Sequence, residues 1–199
     1  DMKILATTGI RSEYYILRPA IKELANRGHD VKLILSGAHL SDWHGSNLKK
    51  IENDGFQISD RIDSLFSTDR KTQRIKGIGS LVTGISQCVE RENPDLLLYV
   101  GDREEGIATA LVGNYMDVLF AHLSGGDTVW GNADDPIRFA ISKLAHIHFP
   151  FAKEYAENLI KIGEEDFRIF LSGNPSLDSI RMTKKISKKE LSKRLNINL

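Results

Sequence analysis

Residues 3–36 read KILATTGIRSEYYILRPAIKELANRGHDVKLILS, in which two apolar runs enclose a segment of helical period. The apolar runs predict strands at Lys3–Thr8 and Val31–Ser36, and their contiguous apolar residues are typical of a sheet covered on both faces. Apolar residues between them recur every three or four positions, which predicts a helix over Glu13–Arg27 that ends at Gly28. A strand, a helix and a strand in this order predict a parallel pair with a right-handed crossover.

The same alternation continues along the chain. Further strands are predicted at Leu96–Val100 and Val118–Leu123, with weaker signals at Phe56–Arg61, Ile147–Pro150 and Phe167–Leu171. Further helices are predicted at Gln73–Asn93, Glu104–Met116, Pro136–Ala145, Lys153–Ile162 and Lys188–Leu195. The predicted fold class is therefore α/β, with a mainly parallel sheet and helices on both faces.

The distribution of charge along the chain limits the kinds of molecule that it is expected to bind. The 199 residues include 27 Lys and Arg and 27 Asp and Glu, but residues 1–180 hold 26 of the acids and only 20 of the bases. An acidic body argues against a general nucleic-acid binder, which needs a basic face. The N-terminal sequence has no signal-peptide pattern, and the longest apolar runs are too short to span a bilayer. We therefore expect a cytoplasmic protein with no membrane or nucleic-acid partner.

The loop after the first strand is a candidate phosphate site. In open parallel sheets, ligands bind beyond the carboxyl ends of the strands. Gly9 allows a tight turn, the helix start offers free backbone N–H groups, and Arg11 adds a planar set of donors. A capped helix with a surface arginine is the structural alternative. The loop matches neither of the glycine patterns that mark dinucleotide-binding and P-loop proteins.

Two later strand ends carry charged residues. Asp102 and Arg103 follow one strand with Glu104 and Glu105; the alternative explanation is that Asp102 caps the next helix and the two glutamates complement its dipole. The loop over residues 122–138 carries His122, a Gly-Gly pair, Trp130, several carboxylates and Arg138. A turn with a cap needs only one glycine and one aspartate, so this loop favours function, and its clustered acids favour raised pKa values.

Neither a metal nor a cofactor is predicted. His146 and His148 share one face of a probable strand, but no third ligand has an obvious place, so a structural role is favoured. The single cysteine, Cys88, excludes an intramolecular disulfide, and its apolar surroundings predict a buried small hydrophobe. His39 lies at a strand end and is a weaker site candidate.

The strand-end motifs, taken in order, resemble those of the UDP-N-acetylglucosamine 2-epimerases. The motifs stand at residues 8–14 (TGIRSEY), 37–41 (GAHLS), 101–105 (GDREE), 125–138, 141–149 and 172–178. They look most like the hydrolysing branch, which makes N-acetylmannosamine or its 2,4-diacetamido-6-deoxy analogue for sialic-acid-type sugars. Each motif is weak by itself, whereas the ordered set is specific and covers almost all of residues 3–178.

The resemblance implies a domain organisation. Members of the family have two Rossmann-like domains that face a cleft, as in the GT-B architecture, and this chain is similar to the N-terminal one. Residues 1–171 are then the N-terminal domain, and residues 172–199 are the linker and the first helix of a C-terminal domain that is absent here. The second domain normally supplies most uridine contacts, so we expect the 199 residues alone to be inactive. A homodimer is also implied.

The resemblance also implies roles for individual residues. The residues that match UDP or phosphate contacts are Arg11, Ser12, Tyr15 and Arg103. The residues that match the catalytic set are Asp102, Asp134 and Arg138. Arg138 lies about one helical turn beyond Asp134 and is expected to keep that acid ionised. The residues expected to line the substrate cleft are His39, His122 and Ser124.

One position departs from the family. Ser124 stands where many members place a catalytic glutamate, and a hydroxyl group of ordinary pKa is too weak a base for that role. Asp127 is our hypothesis for the substitute. Two alternative functions follow from these residues: a GT-B glycosyltransferase domain, and a non-catalytic domain that binds nucleotide sugars.

Overall fold

The computed structural model describes residues 1–44, 47–68, 70–129, 134–183 and 185–198. Its strands are β1 (Lys3–Thr8), β2 (Asp30–Ser36), β3 (Gln57–Ile62), β4 (Leu96–Val100), β5 (Leu119–Leu123) and β6 (Ile147–Phe149). Its helices are α1 (Arg11–Asn26), α2 (Leu48–Asn53), α3 (Thr72–Glu92), α4 (Glu104–Tyr115), α5 (Asp134–Leu144), α6 (Lys153–Lys161), α7 (Ser176–Met182) and α8 (Lys188–Leu195). Short 3₁₀ turns lie at Gly37–Leu40, Asp42–His44 and Asp166–Arg168.

Within these residues, six strands form one sheet in the order β3-β2-β1-β4-β5-β6, and every pair is parallel. The predicted fold class is confirmed, and the strands and helices that match predictions begin and end within two residues of the predicted bounds. A parallel sheet that is covered on both faces needs apolar side chains at successive positions. Its strands therefore appear in the sequence as contiguous apolar runs, which is why they could be predicted.

The strand predicted over Phe167–Leu171 is wrong. Asp166–Arg168 forms a 3₁₀ turn, and Ile169 makes only an isolated bridge to His148 in β6. Beyond that bridge, the Phe170 N–H donates to the His148 carbonyl at 2.9 Å and the Ser172 N–H to the Pro150 carbonyl at 3.1 Å, so the segment lies beside β6 without forming a regular strand. Phe167 remains 73% exposed, so its apolar side chain is not part of the core that the strand prediction assumed.

Alternate residues of each strand enter two separate cores. On one face, Leu5, Leu97 and Phe120 pack with α3, α4 and α5; Cys88 is buried there, as predicted. On the other face, the next residues along the strands pack with Tyr14, Leu17 and Ile21 of α1 and with Ile51 of α2. Two opposed layers of this kind fix the sheet rigidly, so the loops at its carboxyl edge start from well-defined positions.

The order of the strands places a crevice between β1 and β4. The chain builds outward from β1 to β2 and β3, then returns to add β4, β5 and β6 on the other side. The loops that follow β1 and β4 therefore leave the sheet in opposite directions, and the gap between them is where open α/β sheets bind ligands.

The segment beyond residue 171 contains α7 and α8, of which only α8 was predicted, and α7 lies against α1. The boundary between residues 171 and 172 stays a prediction. Among the described residues, no helix combines the length and the apolar character that crossing a bilayer requires.

Candidate active site

Arg138 organises a charged cluster at the carboxyl ends of β4 and β5. Its guanidinium is buried and donates to the Asp102 carboxylate, which follows β4. It also donates to the backbone oxygen and the hydroxyl of Ser124, after β5, at 2.9 and 3.0 Å. The Asp127 carboxylate lies 3.9 Å from the same guanidinium. Three of the predicted site residues thus surround a fourth, the Arg138 cation.

The sequence predicts that Arg138 pairs with Asp134, whereas in the structure Arg138 forms an ion pair with Asp102. Arg138 extends from α5 into the gap between the strand ends, where its two terminal nitrogens donate to the Ser124 carbonyl and hydroxyl and to the Asp102 carboxylate. Asp134 pairs instead with Arg74 of α3, at 3.2 Å. Arg74 also donates to Glu104, so it joins two carboxylates from different helices. The sequence around Arg74 does not indicate that it contacts the site, because its two partners are 30 and 60 residues away in the chain.

Asp102 does not cap the helix that follows it. Helix α4 begins at Glu104 after Arg103, and no side chain caps its first turn. Burial raises the pKa of the Asp102 carboxyl above its ordinary value; the Asp134 carboxylate adds to the rise, while Arg138 and Arg103 oppose it. A carboxyl group with a raised pKa next to a fixed cation is suited to accepting and returning a proton.

Both the backbone conformation and the side-chain contact of Ser124 are well defined. Its φ of +66° lies in the left-handed region, and its hydroxyl accepts a hydrogen bond from Arg138. Asp127, three residues on, hydrogen-bonds to Tyr155 of α6, whose pKa it raises. The loop therefore presents the Asp127 carboxylate together with a Ser124 hydroxyl that already accepts a hydrogen bond from Arg138. The part of this loop that includes Trp130, residues 130–133, lies outside the described residues.

His122 lies beneath the cleft rather than in it. The prediction put this ring among the cleft residues, but it is fully buried in β5. Nε2 lies 2.8 Å from the Gly101 carbonyl, which only accepts, so Nε2 carries the hydrogen and the Ser142 hydroxyl donates to Nδ1 at 3.0 Å. Burial lowers the pKa of His122 to about 3, so the ring stays neutral. It holds Gly101, and through it the backbone that carries Asp102.

Three of the four predicted UDP or phosphate contacts meet at a cavity beside the start of α1. This cavity of about 340 Å³ is lined by Ile10, Arg11, Ser12, Tyr15, Ala38, His39 and Asn47. The His39 ring is buried, with Nε2 3.1 Å from the Thr8 hydroxyl, and burial lowers its pKa to about 4. A neutral imidazole leaves Arg11 as the cation that this cavity offers to an anion.

Arg103 lines a neighbouring cavity of about 260 Å³, together with Arg74, Glu104 and Glu105. The two cavities share Ile10 and Ala38 in their linings, so the loops after β1 and β2 separate them. The arrangement brings Arg11 and Arg103 to the same crevice, from the ends of the two central strands.

Among the residues that the structure describes, no three His, Cys, Asp or Glu side chains are grouped so that they could hold a metal ion. His148 binds the buried carboxylate of Glu164 at 2.9 Å, and Nδ1 of His146 accepts from the Phe120 N–H at 3.1 Å. Both rings have partners within the fold, as the structural interpretation expects.

One cluster near the crevice was missed by the sequence reasoning. Glu13, Tyr99 and Glu105 come from α1, β4 and α4 and are all buried. The acids of a first helical turn are normally explained by the helix dipole, and a tyrosine in an apolar strand by the core. Neither explanation indicates that the three side chains face one another.

Comparisons with known proteins place this geometry in context. A family model described as UDP-N-acetylglucosamine 2-epimerase matches residues 22–198. The chain is 34% identical over 198 residues to "GDP/UDP-N,N'-diacetylbacillosamine 2-epimerase (hydrolyzing)" of Campylobacter jejuni, which covers 99% of this chain and 51% of that protein. It is 33% identical to the corresponding Legionella pneumophila enzyme named for UDP-N,N'-diacetylbacillosamine, over 92% of this chain and 48% of that protein.

A crystal structure of the Methanocaldococcus jannaschii UDP-GlcNAc 2-epimerase, in complex with UDP-GlcNAc and UDP, has the same fold. It superposes with a TM-score of 0.81 and 21% identity, covering 96% of this chain and 52% of that one. The chain thus spans about half the length of the curated relatives and of the solved structure that it matches.

Proposed function

Because the chain belongs to the UDP-N-acetylglucosamine 2-epimerase family, we propose that it is the N-terminal domain of a hydrolysing UDP-sugar 2-epimerase. The hydrolysing branch is supported by the names of the two relatives, both of which are called hydrolyzing. The proposed substrates are UDP-N-acetylglucosamine and its 2,4-diacetamido-6-deoxy analogue, and the products serve sialic-acid-type sugars.

The proposed reaction has two steps. A base removes the proton on carbon 2 of the sugar and UDP leaves carbon 1, which gives a glycal. Water then adds across the double bond, with hydroxyl at carbon 1 and a proton at carbon 2 on the opposite face, and the free 2-epimer results. These steps need a base, stabilisation of charge on the departing diphosphate, and a group that returns a proton.

The observation that carries the proposal is the cluster around Arg138. Asp102 and Asp127 share this buried cation, and they come from the two adjacent strand ends that carry the family's motifs. Two carboxylates near one fixed cation supply the two proton-transfer groups that the reaction needs. Arg11 and Arg103, whose planar guanidinium groups match the geometry of phosphate oxygens, supply the diphosphate contacts from the adjoining cavities.

The assembly is part of the same proposal. We propose that residues 1–171 form the first domain, that residues 172–199 lead into a second, and that the cytoplasmic enzyme is a homodimer. The cleft then closes over the substrate between two domains, which excludes water and holds both halves of the substrate. On this proposal the 199 residues alone release no UDP.

The test is turnover by the complete gene product, with each of the two proposed substrates. Release of UDP together with a free manno-configured sugar, with no added acceptor, is the expected result. A rate that appears only when an acceptor is added indicates a glycosyltransferase. Binding of both nucleotide sugars without release of UDP indicates a non-catalytic domain.

Asp127 is proposed to replace the family's glutamate as the base. Asp127→Asn in the complete gene product is expected to lower kcat about 100-fold, since a positioned general base contributes roughly 10² to 10⁴. Asp135→Asn is the matched control at the start of α5, because Asp135 accepts from the Val129 N–H and asparagine keeps an acceptor oxygen. Turnover of the preferred substrate near the wild-type rate in Asp127→Asn contradicts the role.

A further inference from the structure

A buried hydrogen-bond chain joins the two loops that carry Arg11 and Arg103. It starts at Glu13, in the first turn of α1, which is 5% exposed. One carboxylate oxygen of Glu13 accepts the N–H groups of Gly9 at 2.9 Å and Ile10 at 3.3 Å. These are the two residues before Arg11, so the Glu13 carboxyl group fixes the backbone from which that arginine projects.

The chain continues through Tyr99, which is fully buried in β4. Its hydroxyl donates to the second oxygen of Glu13 at 2.6 Å and accepts the N–H of Arg103 at 3.2 Å. The loops after β1 and β4 are thereby tied together beneath the crevice, from the backbone before Arg11 to the backbone of Arg103 itself.

Glu13 also faces charged neighbours from other elements. Glu105 of α4, only 4% exposed, lies beside it and accepts from the Ser36 hydroxyl at 3.3 Å. Burial raises the pKa of Glu13 to about 8, and the negative charge of Glu105 adds to the rise; the bonds from Tyr99 and Gly9 and the charge of Arg103 oppose it. Burial likewise raises the pKa of the Glu105 carboxyl.

We propose that Glu13, acting through Tyr99, is a positioning residue that sets Arg11 and Arg103 in one arrangement for a diphosphate. The identity of the anion rests on the proposed function. The geometric basis of the positioning is independent of that function: two arginine-bearing loops from the central strands share one buried carboxyl group. Because charges beneath a crevice act on an anion above it, the protonation state of Glu13 also affects how tightly the anion binds.

The direction of that effect follows from charge. Below about pH 8 the Glu13 carboxyl group is protonated and its hydrogen is donated to the Tyr99 hydroxyl across the same contact, so the two arginines act on the diphosphate without a buried negative charge beneath them. As the pH rises through this value, Glu13 ionises and opposes the anion. At a separation of about 10 Å and an effective dielectric constant of about 20, one charge changes the affinity roughly tenfold.

The experiment measures binding of UDP-glucose to the complete gene product by calorimetry, at about pH 7 and about pH 9, on either side of the Glu13 pKa of about 8. The diphosphate of this probe is esterified at both ends, so it keeps its charge over that range. The wild-type affinity is expected to fall about tenfold at the higher pH. Glu13→Gln, which mimics the protonated acid, is expected to bind at both pH values as the wild type does at the lower one.

Two further variants separate positioning from a general loss of stability. Tyr99→Phe removes the acceptor of the Arg103 N–H and is expected to weaken binding about tenfold already at the lower pH. Glu164→Gln is the matched control: its buried carboxylate binds His148 and Arg168 beyond β6, so it is expected to lower stability without changing affinity or its pH dependence.

The outcomes are distinguishable. If the wild type binds UDP-glucose with the same pH dependence as Glu13→Gln, the positioning proposal is overturned while the proposed function stands. If the folded wild type neither binds UDP-glucose at either pH nor releases UDP from either proposed substrate, the proposed function is overturned, and this inference with it.

Discussion

Asp102→Asn is expected to lower kcat for release of UDP by about 10³-fold in the complete gene product, since a positioned proton-transfer group contributes roughly 10² to 10⁴. Asparagine has nearly the same shape and keeps an oxygen for the Arg138 guanidinium, so the loss reports the carboxyl group rather than the fold. The same substitution removes the titration of a group whose pKa burial has raised. The wild-type profile of rate against pH should therefore bend above the range of an ordinary aspartate, and the bend should vanish in the variant.

The control for this experiment lies at the opposite end of the same strand. Asp95 precedes β4, and its carboxylate accepts the Lys3 N–H at 2.7 Å on the exposed side. Asp95→Asn is expected to leave kcat within about twofold, because surface changes of this kind are usually small. Equal losses in the two variants, or a wild-type rate in Asp102→Asn, would place the chemistry elsewhere.

Gly126→Ala is expected to lower the free energy of unfolding by about 3 kcal/mol or more, since backbone strain and overpacking each cost roughly 1–3 kcal/mol. Gly126 has a φ of +79°, in the left-handed region. A Cβ at this position would lie 2.1 Å from the backbone oxygen of Tyr155, which belongs to α6 and has little room to move. The loop would have to shift and would carry Asp127 with it, so activity should fall together with stability.

Gly163→Ala separates the two causes. Gly163 has a φ of +89°, but a Cβ there would meet nothing within 4 Å. Its cost is the left-handed backbone alone, about 1–2 kcal/mol. The free energies of unfolding obtained from urea curves of the two variants should differ by the cost of the contact between the added methyl group and the Tyr155 backbone oxygen. Equal midpoints and slopes would show that the loop relaxes freely around the added methyl group.

Much of the fold could be predicted because the signals are local. Each of β1 and β4 is an apolar run whose length and bounds are visible in the sequence, and both appear as predicted. The Phe167–Leu171 strand prediction failed because an apolar run looks the same in the sequence whether its backbone pairs along its length or, as here, makes only an isolated bridge to β6. The family resemblance, read from the ordered motifs, is confirmed by the family model.

The candidate site, too, could be predicted only where its signals are local in the sequence. Glycines and charges at strand ends marked Asp102, Asp127 and Arg138, and topology brings these ends together. The partner of Arg138 could not be predicted, since spacing along a helix favours Asp134 whereas the buried gap favours Asp102. Tyr99 gave no signal, because a hydroxyl group that bonds across 86 residues looks like a core tyrosine in its own strand. Direct roles for the individual site residues stay predictions.

The carboxyl group of Glu105 occupies space that side chains would fill at two glycines. A Cβ at Gly9 would lie 2.0 Å from its Oε1 atom, and a Cβ at Gly37 would lie 2.8 Å from the same atom. Three positions on three different elements therefore share one volume, although they are far apart in the chain. In evolutionary terms the positions are coupled: a larger residue at Gly9 has to displace the carboxyl group of Glu105, so we expect it to be tolerated best together with a shorter residue at position 105.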